Sequence, residues 1–249
     1  MEEHNLYYQT VKKELAAWEA QMLRRPGLAN RASKALQAKV HGLVPQRVQN
    51  MITASVKTML EVVLSGSSLL TKTKVMQTPT LAESDFLVER AYSTYHNVAV
   101  AQGISFGLGG VLINLADLPA LLSIKTKFLF DCGKLYGFDV DRQSERLFML
   151  YVFQLAFSSD QRRREIFPIV KHWDDHAPYA SMNWEALQIE YRDYLDIAKL
   201  LQLLPVVGAV AGGTANHNLI KKLKVTAMNA YRMRVISRGP QARQDAKPH

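Results

Sequence analysis

The chain predicts an all-α fold: a single large helical domain of about eight to ten helices in which two glycine-rich apolar segments pack together. Apolar residues recur at spacings of three and four along almost the whole length, and no run of alternating β-branched residues interrupts them. Two stretches, 91–116 and 200–220, carry no Asp, Glu, Lys or Arg, and each contains a cluster of glycines. At 249 residues the chain can bury roughly three quarters of its unfolded surface, enough for a core that takes in both stretches.

The first helix is expected over about 6–23, with Leu15, Trp18 and Met22 on one face and Arg24-Arg25-Pro26-Gly27 as its stop. A second covers about 29–41, and Gly42 and Pro45 separate it from a third at about 46–64, where Val48, Ile52, Val56, Met59 and Val63 form a stripe. The polar run 71–80 reads as a loop, and a helix begins near Leu81 and leads into the ladder Gly103, Gly107, Gly109 and Gly110. Each interior glycine costs a helix roughly 1 kcal/mol relative to Ala, so either the chain turns there or two backbones approach closely across small-residue faces.

Asp117 is placed to cap the next helix, with Pro119 in its first turn, and Gly137 closes that helix as the residue just past its C-terminus. Helices at about 141–157, 161–175 and 184–203 follow. Pro205 starts the second segment, which holds Gly208, Gly212, Gly213 and Asn216. The last helix, about 218–238, carries Leu219, Ile220, Leu223, Ala227, Ala230 and Tyr231 on one face, with Lys221, Lys222, Lys224 and Arg232 mostly opposite. The expected organisation is an N-terminal helical region at 1–80, a core at 81–238 with glycine-rich segments at 98–116 and 204–216, and a disordered tail at 239–249.

Charge is concentrated at the two ends. Residues 1–80 hold 11 Lys and Arg against 5 Asp and Glu, residues 204–249 hold 8 against 1, and residues 81–203 are net acidic, within a total of +9. A basic end beside an apolar segment suits an anionic lipid surface, with Lys221, Lys222, Lys224 and Arg232 as the contacts. Nucleic acid is not supported, because no aromatics interleave the basic residues and no helix-turn-helix is recognisable. The glycine segments approach the roughly 20 residues of a membrane span, but Gly, Pro, Asn and His dilute them and Asp117 interrupts the first. Cys132 is the single cysteine, so neither an internal disulfide nor a cysteine zinc cluster can form, and the start Met1-Glu2-Glu3-His4-Asn5 lacks the features of a secretory signal. A cytoplasmic protein, peripheral on the inner face of the membrane, is the expectation.

His172-Trp-Asp-Asp-His176 is the constellation that invites a metal: His172 and His176 share a helical face, with Asp175 in the place of the usual Glu of an inverted zincin motif. No third ligand stands out, and a solvated helix end before Pro178, with cationic histidine favoured by the negative helix C-terminus, is the simpler account. Gly107-Leu-Gly-Gly110 has neither the spacing nor the Lys of a phosphate loop, no Gly-x-Ser-x-Gly elbow occurs, and Cys132 reads as a small core residue. No cofactor is expected.

Gly103-Ile-Ser-Phe-Gly-Leu-Gly-Gly, Leu115-Ala-Asp-Leu-Pro-Ala-Leu-Leu-Ser-Ile-Lys, Lys134-Leu-Tyr-Gly-Phe-Asp139, and Leu204-Pro-Val-Val-Gly-Ala-Val-Ala-Gly-Gly-Thr-Ala-Asn216 with Ala227-Met-Asn-Ala-Tyr-Arg232, taken in this order, resemble the EcsC protein family. The resemblance covers about 100–232 and implies a bacterial protein whose namesake is encoded beside the ATPase and membrane subunits of an ABC-type exporter; it transfers no catalytic residues. The leading expectation is therefore a non-enzymatic accessory protein at the membrane face, touching a transport complex or the lipid. A carrier holding an acyl ligand between the glycine segments, with Asp117 or Asn216 at its mouth, and a metal-dependent hydrolase built on His172, Asp175 and His176 are the alternatives.

Overall fold

The computed structural model describes residues 2–25, 46–65, 72–107, 118–158, 160–175 and 208–239. Among these residues every regular element is helical: α1 (Glu2–Leu23), α2 (Gln46–Ser65), α3 (Leu81–Gly107), α4 (Leu118–Leu135), α5 (Gln143–Phe157), α6 (Asp160–Lys171), a 3-10 turn (Trp173–Asp175) and α7 (Gly208–Arg238). The all-α class is as the sequence predicts. The helices expected at 29–41 and 184–203, and the tail from 240, lie outside the described residues.

Local chemistry explains the ends. Thr80 and Glu83 form a reciprocal cap on α3: the Glu83 carboxylate accepts from the Thr80 amide at 2.8 Å, and the Glu83 amide donates to the Thr80 hydroxyl at 3.2 Å. At the end of α4, Gly137 adopts φ +82° as expected of a closing glycine, its amide donates to the Lys134 carbonyl, and the Phe138 amide donates to the Gly133 carbonyl. α5 starts two residues later than expected because Asp139 holds a turn, accepting from the Asp141 amide at its side chain and from the Arg142 amide at its carbonyl.

One hydrophobic core draws residues from all seven helices. α5 is buried all round along most of its length: every residue from Leu147 to Phe157 is buried, and Gln154 is the one polar residue among them. The C-terminal half of α7 is just as central: Thr226 to Tyr231, Arg234 and Val235 are buried, and the helix touches α1, α3, α4, α5 and α6. The sequence expectation of a two-faced surface helix therefore holds only for the turns around Lys221 and Lys222, because farther on its five neighbours enclose α7. Tyr231 lies at the middle of an aromatic cluster, stacked on Tyr136 with centroids 5.5 Å apart and 5.1 Å from both Phe138 and Phe148.

Candidate functional site

α3 and α7 make the most extensive helix pairing among the described residues. Arg232 binds Asp85 and Lys224 binds Glu89, so residue numbers climb along α3 as they fall along α7, and the two helices are antiparallel. α4 also opposes α3, since Tyr136 donates to Asp85 and Tyr95 donates to Asp131 at 2.6 Å. The C-terminal end of α3 and the N-terminal ends of α4 and α7 consequently lie at one end of the molecule. All three ends are free of Asp, Glu, Lys and Arg, over 91–107, 118–124 and 208–220. With equal rise per residue, the register puts Gly103 level with about position 212 and Gly107 with about 208, so Gly103 and Gly107 lie level with Gly208, Gly212 and Gly213, small residues that let two backbones approach.

At the level where charge resumes, Arg90 on α3 and Lys221 and Lys222 on α7 are exposed. Lys224 and Arg232, expected to join that set, face other partners. Lys224 pairs with Glu89 at 2.5 Å and lies over the Tyr92 ring, and only 14 % of its side chain is exposed. Arg232 grips the Asp85 carboxylate through Nε and Nη2 at 3.0 Å and reaches Glu14 at 3.0 Å.

Below this level the interior polar groups form two knots. In the first, buried Asp85 accepts from Tyr7, Tyr136 and Arg232, tying α1, α3, α4 and α7 together. Burial and the bond to Asp85 push the Tyr7 hydroxyl up to about 12, and the same causes hold Tyr136 well above its ordinary value. The guanidinium of Arg232 loses solvation there, but its bonds to Asp85 outweigh the loss and favour the charged form further. In the second, fully buried Arg234 makes a two-pronged bond to Glu145 at 2.6 and 2.7 Å and another to Asp174, while its guanidinium lies 4.1 Å from the Phe138 ring centre and 4.3 Å from that of Phe148. Burial would raise the Asp174 carboxyl, yet hydrogen bonds from Arg234 and Arg238 bring it below the usual carboxylate range. Cys132 is fully buried, and burial with Asp85 and Asp131 nearby pushes its thiol well up, so it is a neutral core thiol and not a nucleophile.

The histidine-aspartate motif resolves differently from its metal reading. His172 Nδ1 lies 3.0 Å from Asp175, His176 lies outside the described residues, and among the described residues no three His, Cys, Asp or Glu side chains stand close enough to hold a metal ion. The segment's fixed members are the ones between: Trp173 packs on Phe148 and Tyr151, and Asp174 binds Arg234 and Arg238. α6 accordingly stops at Lys171 and tightens into the 3-10 turn that aims these two side chains inward.

Of the remaining expected positions, Pro119 falls in the first turn of α4, Asn216 falls in α7, and Gly109, Gly110 and Asp117 lie outside the described residues. The sequence reading missed Asp85, Glu145 and Arg234, and took Asp174 as a possible support of the histidine pair where it instead binds Arg234 and Arg238. One signal was available: Arg234 follows Ala230 and Tyr231 by four and three residues, a cation on an apolar face, which demands a buried carboxylate partner. Among the described residues no helix is long and apolar enough to cross a membrane. An apolar cavity of about 10 Å³ among Met59, Val63, Leu129, Phe130, Met149 and Phe153 has room for one water-sized sphere and none for an acyl chain.

Comparison with known proteins agrees with the motifs. Protein EcsC of Bacillus subtilis (strain 168) is 40% identical over 228 residues, which cover 92% of this chain and 96% of that protein. Uncharacterized protein YdbA of the same strain is 34% identical over 145 residues, 56% of this chain and 53% of its own length. No solved structure matches. The model of the EcsC protein family matches residues 9–236, and the chain belongs to that family.

Proposed function

We propose that this protein is a non-enzymatic accessory protein that works at a membrane surface, with the charge-free end of α3, α4 and α7 turned toward the bilayer. One observation carries the reading: three helix ends, that of α7 far in sequence from those of α3 and α4, are each free of formal charge and lie together at one end of the molecule. A solvated surface rarely leaves such an end without charge, since Lys, Glu, Arg and Asp are the residues that water retains outside. Magnitude limits the depth. From Gly208 to Lys221 the helix rises about 20 Å, short of the roughly 30 Å of a hydrocarbon core but enough for one leaflet and its headgroup layer. The exporter context that the family resemblance implies supplies a partner of the same location.

Flotation with phosphatidylcholine vesicles tests the reading. The protein is expected to float with them, and Val98→Glu, which puts a charge on an exposed valine of the charge-free end, is expected to reduce the floated fraction several-fold without altering the helical circular dichroism. Failure of the wild-type chain to bind any vesicle removes the membrane reading.

A further inference from the structure

We infer that the outward strip of the α3–α7 pair, with Arg90, Lys221 and Lys222 as its cations, selects anionic phospholipid headgroups; the inference rests on the membrane reading above. Four observations lead to it. Arg90 and Lys221 are exposed and make no ion pair among the described residues, and Lys222 is exposed beside them. The antiparallel register brings Arg90 to within about one helical turn of Lys221 along the pair axis, a gap that long side chains span. Glu89, the acidic residue next to Arg90, is held by Lys224, so the strip's net charge stays positive. In the part of the charge-free end next to the strip, the exposed residues Ser93, Thr94, Asn97, Val98 and Asn218 are polar or apolar without charge.

The order of these layers along the pair matches a bilayer surface: no charge at the tip, small polar groups next, then cations, with the exposed Glu89 carboxylate neutralised by Lys224. A headgroup layer presents phosphate oxygens at that depth, and an ammonium or guanidinium there gains Coulomb attraction while remaining hydrated. A flat acidic protein surface would meet the cations but would leave the charge-free tip without a matching environment. The strip also separates basic residues of α7 in a way that charge counting could not: Lys221 is exposed and makes no ion pair among the described residues, whereas Lys224 and Arg232 hold the helix to α3 and α1.

Co-sedimentation of the full chain with phosphatidylcholine vesicles, and with equal mixtures of phosphatidylcholine and phosphatidylglycerol, tests the inference at low and at physiological salt. The wild type is expected to prefer the anionic vesicles, with the preference shrinking as salt rises. Each of Arg90→Ala, Lys221→Ala and Lys222→Ala is expected to weaken anionic binding about fivefold, and the triple variant about a hundredfold, down to the level seen on phosphatidylcholine. Lys221→Arg with Lys222→Arg is expected to retain the preference. A folded triple variant, judged by its thermal melt, that still prefers anionic vesicles overturns the inference and leaves the membrane reading standing. Equal wild-type binding to both vesicle types does the same. Absence of wild-type binding to either vesicle overturns both and returns the strip to a protein partner.

Discussion

Tyr136 and Tyr231 are stacked neighbours with opposite polar fates. The Tyr136 hydroxyl donates to Asp85, whereas the Tyr231 hydroxyl is buried with no hydrogen-bond partner among the described residues. A buried hydroxyl without a partner costs on the order of 1–3 kcal/mol, and one bonded to a carboxylate contributes about 1.5–3. Tyr136→Phe is therefore expected to lower the urea-unfolding free energy by about 2 kcal/mol, while Tyr231→Phe leaves it unchanged or raises it by up to about 1 kcal/mol. Equal losses in both variants would show that Tyr231 has a partner. Arg234 follows the same logic at higher stakes: its two carboxylates and two rings hold α7 against α5 and the 3-10 turn, and a buried ion pair tolerates loss of both partners far better than loss of one.

Among the elements, the contact of α4 with α7 is decided at Gly133. A Cβ built there would lie 2.8 Å from the Tyr231 hydroxyl oxygen and 2.8 Å from Val140 Cγ1. Helix propensity favours Ala over Gly by roughly 1 kcal/mol, but overpacking a rigid core costs typically 1–3 kcal/mol, and the ring of Tyr231 is enclosed by Tyr136, Phe138 and Phe148. Gly133→Ala is expected to be net destabilising by about 1 kcal/mol, read as a lower melting temperature. A higher melting temperature would mean that the aromatic cluster yields more readily than its packing indicates. The glycines of α3 and α7 belong to the same scale: helix formation runs through Gly103, Gly212 and Gly213 because a long antiparallel partner supplies what the local sequence loses.

For the molecule as a whole, the interior charges set a distinctive response to pH. Lys125 is fully buried, and loss of solvation lowers its ammonium to about 8 from 10.5. The unfolded chain binds this proton more tightly, so the cost of burying it is fully present below pH 8, and stability rises from pH 8 toward 10, by as much as roughly 3 kcal/mol in all. Tyr7 acts in the opposite sense at higher pH: raised to about 12 in the folded state, it contributes stability that is intact below pH 10 and lost as pH climbs through 12. Urea midpoints at pH 7, 8, 9 and 10 are expected to increase in the wild type and to stay flatter in Lys125→Met. A Lys125→Met profile as steep as the wild type would assign the rise to other groups.

Much of this molecule is legible without coordinates, because helix formation is local. Apolar spacing, the break before Leu81 and the closing Gly137 depend on neighbours within a few residues, and those features stand where the sequence puts them. The two uncharged stretches are also a property of the chain alone. What local information lacks is the identity of partners across more than a hundred residues. Lys221, Lys224 and Arg232 are indistinguishable as cations on a helical wheel, yet Lys221 is exposed while Lys224 and Arg232 close ion pairs with Glu89, Asp85 and Glu14. The same holds for the histidine-aspartate motif, whose Asp174 serves Arg234 and Arg238. Sequence determined which residues carry charge and that the chain folds into helices; only tertiary packing, by opposing distant helices and desolvating some charges but not others, decided which cations fasten the core.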